Sequence, residues 1–319
     1  MTFDEEALAL YDMTAPARPD SVYAAALARI EALLPGPGPL HARAKAFEER
    51  LHVPAARVDT LMRAALAECR RRTREHMELP ADESFTVEYV KHVPWGAYNW
   101  YQGGHRSLIQ VNTTFPLHVD RFLDLACHEG YPGHHVYGVQ FETELVRKRG
   151  WVEFTVYPLR SPLGPIAEGT AVAALEVAFP GGERAAFEKR VLYPLAGLDT
   201  SLHARNRELS AARDSLSGWT IDNAREYLDG RRTRDEALAA VVRYGLRPPE
   251  QADRTVRFAE NYRSYVVNYG LGKKLVMEWL EARGGTADQP QKRWALYREL
   301  LGAPKLPHDL RAEIAAAKR

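Results

Sequence analysis

Apolar residues recur at three- and four-residue spacing over 4–11, 20–34, 38–50 and 55–78, the pattern of helices that bury one face. Pro35-Gly36-Pro37-Gly38 forms a turn between two of these segments. Pro54 suits the first turn of the fourth, where its missing N–H would have no helical partner. The texture changes between 84 and 114. Ser84-Phe85-Thr86-Val87-Glu88-Tyr89-Val90 alternates with period two and is rich in β-branched and aromatic residues, which predicts a strand. A turn is expected at Pro94–Tyr98, a second strand at Asn99-Trp100-Tyr101, a turn at Gly103-Gly104 and a third strand over Ser107–Asn112. Helical periodicity then returns near 117–130, 134–148, 165–179, 184–214, 220–229, 233–245, 250–281, 287–301 and 307–318. Proline and glycine punctuate these segments, at Pro180-Gly181-Gly182, Pro248-Pro249 and Gly284-Gly285 among others.

The pattern predicts a mainly α fold with a small antiparallel or mixed sheet embedded beside the helix that begins near 117. No repeat or linker divides the 319 residues, so one compact domain is expected. Its parts are an N-terminal helical region over 1–83, the sheet with its neighbouring helices over 84–280, and C-terminal helices over 281–319.

Composition excludes more than it names. Forty-three Lys and Arg stand against 42 Asp and Glu, and a net charge of +1 argues against a nucleic-acid partner. The basic run Arg70–Arg74 reads as a solvated helix end, since nothing basic or aromatic extends it. No apolar run approaches the roughly 20 residues that span a bilayer, so no membrane partner is expected. The acidic start lacks the marks of a signal peptide, and two cysteines cannot build a disulfide framework. A cytoplasmic setting follows as the expectation.

The informative stretch is Cys127-His128-Glu129-Gly130-Tyr131-Pro132-Gly133-His134-His135. A catalytic zinc site takes about three His or carboxylate ligands and keeps one position open. It also wants a carboxylate nearby that does not bind the metal and can take a proton from water. His128 followed by Glu129 has that grammar, because successive helix residues point about 100° apart. Pro132 occupies the usual position of the second histidine and cannot ligate. A kink or bulge at Pro132-Gly133 would have to deliver His134 or His135 instead. His134 is preferred, because looping out two residues places it where the usual second ligand lies; His135 is the rival. Glu168, about 33 residues further on, is expected to complete the ligand set from another helix, with Ala167, Gly169 and Thr170 leaving room for close approach. Cys127 reads as a core residue.

These residues resemble the bacterial family catalogued as domain of unknown function 885. Its H-E-x-x-P-G-H-H stretch is matched by His128–His135, and its E-G-W-A by Glu168-Gly169-Thr170-Ala171, with Thr170 in place of tryptophan. A third mark, S-Y-K-I-G, is matched in part by Asn268-Tyr269-Gly270-Leu271-Gly272. The resemblance covers roughly residues 84–280. It implies kinship with helical zinc metallopeptidases of the gluzincin type, with two histidines and one glutamate on the metal and a peptide or small amide as substrate. In that reading Glu129 is the general base and Tyr269 donates to the oxyanion. Ser107–Asn112 could pair with an extended peptide as an added strand, or be an ordinary core or edge strand. Two other readings stand beside it. One is a non-haem iron enzyme, which also uses two histidines and a carboxylate. The other is a metal-stabilised binding protein without turnover.

Overall fold

Helical periodicity builds most of the molecule. The computed structural model describes Met1 to Arg319 except for Pro94 and the side chains of Asp20 and Glu250. The N-terminal part comprises α1 (Phe3–Tyr11), α2 (Asp20–Leu33), α3 (Leu40–Glu49) and α4 (Val58–His76). The strands are β1 (Ser84–Val90), β2 (Ala97–Gly103) and β3 (Arg106–Asn112). Next come α5 (Val119–Leu125), α6 (His134–Phe141), α7 (Gly164–Ala178), α8 (Glu183–Phe187), α9 (Tyr193–Ala196) and α10 (Leu202–Asp214). The chain ends with α11 (Trp219–Leu228), α12 (Arg234–Tyr244), α13 (Pro249–Tyr262), α14 (Val267–Ala282), α15 (Pro290–Leu301) and α16 (Pro307–Ala317). The fold is mainly helical with a small mixed sheet, as the periodicity predicts.

The sheet order is β1-β3-β2, with β1 parallel and β2 antiparallel to β3. Ser107–Asn112 therefore lies in the central strand. Its backbone edges are already taken by β1 and β2, so it cannot accept a peptide as an added strand. Ile109 and Val111 face the core from β3. The expected turn at 94–98 begins at Pro94, outside the described residues; Ala97 and Tyr98 already belong to β2.

Two long predicted helices are broken. The segment 184–214 is interrupted at Gly197, which takes φ +70 and ends α9 ahead of α10. The segment 250–281 breaks at Arg263, a non-glycine residue at φ 51. A 3-10 turn over Arg263–Val266 joins α13 to α14 there. Glu6 of α1 holds this break. Its carboxylate accepts from Arg263 Nε at 2.6 Å, from Ser264 Oγ at 2.7 Å and from the Ser264 backbone N–H at 3.2 Å. No proline or glycine marks the position, so the cause is a contact 257 residues away in the chain.

The arginines at the end of α4 are not simply solvated. Arg70 and Arg74 each donate to Glu83 Oε1 at 2.6 Å, and Arg72 stacks on Phe179 at 4.0 Å. Among the described residues no helix is long and apolar enough to cross a membrane.

The backbones of α7 and α14 come into direct contact. A Cβ on Gly169 would lie 2.5 Å from the carbonyl carbon of Gly272, and a Cβ on Gly272 would lie 2.4 Å from the Pro165 oxygen. Only glycine at both positions lets the two backbones meet. Gly270, on the same helix, meets nothing within 4 Å at its own Cβ position. Gly169→Ala is therefore expected to destabilise the chain by about 3 kcal/mol, the cost of overpacking against backbone. Gly270→Ala should stabilise it by roughly 0.5–1 kcal/mol through helix propensity. Urea unfolding of the two variants checks this contrast, and equal midpoints would refute it.

Candidate metal centre

The helix that starts as α5 does not end as an α-helix. Over Ala126–Gly130 it widens into a π-turn, closed by the Tyr131 N–H on Ala126 O at 3.0 Å. Such turns reorient side chains within a helix and are frequent at functional sites. This one carries His128 and Glu129. From β2, Asn99 Nδ2 donates to the Glu129 carbonyl at 2.6 Å and pins the widened turn. The chain then doubles back through Tyr131-Pro132-Gly133, with the Gly133 N–H on Cys127 O at 2.9 Å. A Cβ on Gly133 would fall 2.0 Å from His128 O, so no other residue fits this return. Tyr297 of α15 braces it from behind, donating to Pro132 O at 3.2 Å and Thr170 O at 2.9 Å.

His134 thus enters as the first residue of a new helix rather than as the phase-preserved continuation of the old one. Its ring meets that of His128 edge to face, with centroids 4.8 Å apart. Glu168 comes from the first turns of α7. Its Oε2 lies 3.6 Å from His128 Nε2 and 3.7 Å from His134 Nε2. The three donor atoms all lie within 4.8 Å of one another. Separations of 3.6 Å and more are too long for hydrogen bonds. They are close to the roughly 3.4 Å that separates two ligands on one tetrahedral ion with bonds near 2.0–2.1 Å. Glu168 Oε2 is buried and has no hydrogen-bond partner. Its other oxygen accepts from Tyr265 Oη at 2.7 Å, which fixes the carboxylate plane. His128 and His134 keep partial exposure, so the group is reachable from outside. His128, His134 and Glu168 could hold a metal ion.

The charges agree with that arrangement. Burial would raise the Glu168 carboxyl, but His134, His128 and Tyr265 outweigh it and hold it down at about 2. Glu129 is pushed above its ordinary value by burial, against the pull of His128 and His134. Its Oε1 lies 4.0 Å from His128 Nε2, beside the group without belonging to it. Tyr269 is partly buried, packs edge-on against Tyr265 with centroids 5.8 Å apart, and has its hydroxyl raised by burial and by the negative charges of Glu168 and Glu129.

His135 stands apart. Consecutive residues in the first turn of α6 point about 100° from one another, so only one of the pair faces Glu168. His135 is fully buried, with Nδ1 2.8 Å from Ser107 Oγ and Nε2 3.1 Å from Glu83 Oε2. The same Glu83 oxygen accepts from Tyr131 Oη at 2.5 Å. Cys127 is also outside the group, buried with its sulfur 3.0 Å from that of Cys69.

Sequence reasoning misses Tyr265, Asn99, Glu83 and Tyr297. Tyr265 lies four residues before Tyr269 and reads as helix packing, because the break at Arg263 that turns it toward Glu168 has no local signal. The others act through backbone or through a neighbour of His134, and carry no motif.

No family model matches the sequence, and no curated protein matches it. Among solved structures, the fold is similar to that of a "putative lipoprotein" from Colwellia psychrerythraea, with a TM-score of 0.65 at 14% identity. The match covers 98% of this chain and 54% of the other, so this chain spans about half that protein's length. At that identity the likeness speaks for the fold alone.

Glu83 supplies a pH-dependent test of the layer behind His134. Burial would raise its carboxyl, but His135, Tyr131, Arg74 and Arg70 outweigh burial and bring it from 4.5 to about 2. A depressed folded-state pKa means stability that is present above about pH 4.5 and lost as pH falls toward about 2. Glu83→Gln should therefore cost on the order of 3 kcal/mol at pH 7. Its urea midpoint should approach that of the unaltered chain between pH 4.5 and pH 2. A difference that stays constant over this range would contradict the assignment.

Proposed function

We propose that the protein is a zinc-dependent hydrolase, a metallopeptidase acting on a peptide or small amide. The observation that carries this reading is the buried, unpartnered Oε2 of Glu168 facing two histidines, with a second buried carboxylate, Glu129, alongside. Two histidines and one carboxylate are a donor set that zinc accepts with a position left open. The resemblance to domain of unknown function 885 supports it, since His128, Glu129, His134 and Glu168 all come from its motifs.

Zinc held by His128, His134 and Glu168 would supply Lewis acidity, lowering the pKa of water and polarising a carbonyl. The chain's own groups divide the remaining work. Glu129 accepts a proton from the attacking water and delivers it to the leaving amine. Tyr265 keeps Glu168 oriented, as partners outside a ligand shell commonly do. Tyr269 donates its hydroxyl proton to the oxygen that gains negative charge. Water reaches the group past the partly exposed faces of His128 and His134. Glu129 also separates this reading from an iron oxygenase, which has no use for a general base at that position.

Elemental analysis of protein purified without added metal should find about one zinc per chain. Stoichiometric iron with no zinc would overturn the hydrolase reading. Glu168→Ala and His134→Ala should lose the metal. Glu129→Gln should retain it while turnover falls roughly 10²–10⁴-fold. His135→Ala should lower stability, because it opens the buried Glu83 network, and still bind zinc. Equal zinc loss in Glu129→Gln and Glu168→Ala would show that their roles are wrongly divided.

A further inference from the structure

The chain has two cysteines in 319 residues, and the fold brings them together. Cys69 lies on α4, and Cys127 lies 58 residues on, in the π-turn that carries His128 and Glu129. Both are fully buried, and their sulfurs are in contact at 3.0 Å. A buried residue touches about 6–12 others, so two core positions chosen independently would meet in roughly one case in twenty. The contact is therefore more specific than the burial of two small apolar side chains requires.

The backbone around the pair is equally close. Leu66 precedes Cys69 by about one turn of α4, and Gly130 closes the π-turn that Cys127 opens. A Cβ on Gly130 would lie 2.7 Å from Leu66 Cδ2, so the two elements touch at both ends of this short face. A disulfide bond is about 2.05 Å long, and bringing the two sulfurs closer by about 1 Å would make one. Burial sets when that can happen. A cysteine sealed in the core is inert, so oxidation belongs to the folding chain, and the finished fold then shields the bond from reductants.

We propose that Cys69 and Cys127 are a disulfide site, closed when the chain folds in the presence of a low-molecular-weight disulfide such as oxidised glutathione, and that the bond clamps the His128 turn to α4. One cysteine sulfur attacks glutathione disulfide, breaking its S–S bond and releasing one glutathione thiol. The other cysteine then attacks the protein sulfur of the mixed disulfide, and the second glutathione thiol leaves. The cysteine pair loses two electrons and two protons, and the two glutathione thiols carry them away. The bond would fix the residue before His128 against a helix of 19 residues. The turn could then open less readily, and a metal held by His128 would leave more slowly; this consequence alone rests on the metal reading.

The experiment makes the full chain by cell-free synthesis in two mixtures, one containing oxidised glutathione and one containing dithiothreitol. Each product is unfolded in guanidinium, treated with N-ethylmaleimide and weighed by mass spectrometry. The first should lack two hydrogen atoms and carry no maleimide; the second should carry two maleimides. The thermal midpoint of the bridged chain should lie about 5–10 °C above that of the reduced one, because the bond closes a loop of 58 residues. Cys69→Ala should show one midpoint in both mixtures. Two maleimides, glutathione adducts or a linked dimer in the first mixture would overturn the site. Both forms are also loaded with zinc, and its transfer to a chelating dye is followed. Release from the bridged form should be roughly tenfold slower, since local opening of the turn is restrained. Equal release rates overturn the clamp. Failure of both forms to take up zinc overturns the hydrolase reading and leaves the disulfide site standing on its mass and its midpoint.

Discussion

The arrangement of the centre depends on how closely α7 and α14 approach. Glu168 sits one residue before Gly169, and Tyr265 and Tyr269 sit just before and at the start of the helix that carries Gly272. Because a side chain on either glycine would collide with backbone of the facing helix, their absence sets the distance between the elements. That distance brings the Tyr265 hydroxyl to Glu168 Oε1 and leaves Oε2 turned toward the two histidines. A wider crossing would separate the carboxylate from the tyrosine that orients it.

A second constraint acts on the backbone rather than the side chains. Proline at the expected ligand position removes one helical donor, and the chain answers with a π-turn, a tight return and a new helix. Gly133 makes the return possible because its missing Cβ clears the carbonyl of His128. Asn99 and Tyr297 hold the two sides of this turn from the sheet and from α15.

Two adjacent histidines meet two different carboxylates, and burial decides between them. His135 and Glu83 are sealed in the core with Ser107, Tyr131 and two arginines filling their remaining hydrogen bonds. Every group there is satisfied, which makes the cluster a brace for the start of α6. His134 and Glu168 keep a separation too long for a hydrogen bond, and one carboxylate oxygen has no partner. A satisfied network stabilises a fold; an unsatisfied buried oxygen between two imidazoles is an opening for a cation.

Local pattern was enough to determine the helical class, the three strands and the residues from which the centre is drawn. Periodicity is a property of neighbouring residues, and His128, Glu129, His134 and Glu168 are conspicuous in spacing and type. It was not enough to determine which strand is central, where the long C-terminal helix breaks, or which histidine of the pair faces Glu168. Strand order depends on pairing across the sheet, and β3 takes the middle because both β1 and β2 bond to it. The break at Arg263 is held by Glu6 from the far end of the chain. The choice of His134 over His135 depends on a Glu83 carboxylate and a Ser107 hydroxyl that reach the second ring only after the sheet has formed. Each of these outcomes rests on contacts between residues distant in sequence, and such contacts exist only once the chain is packed.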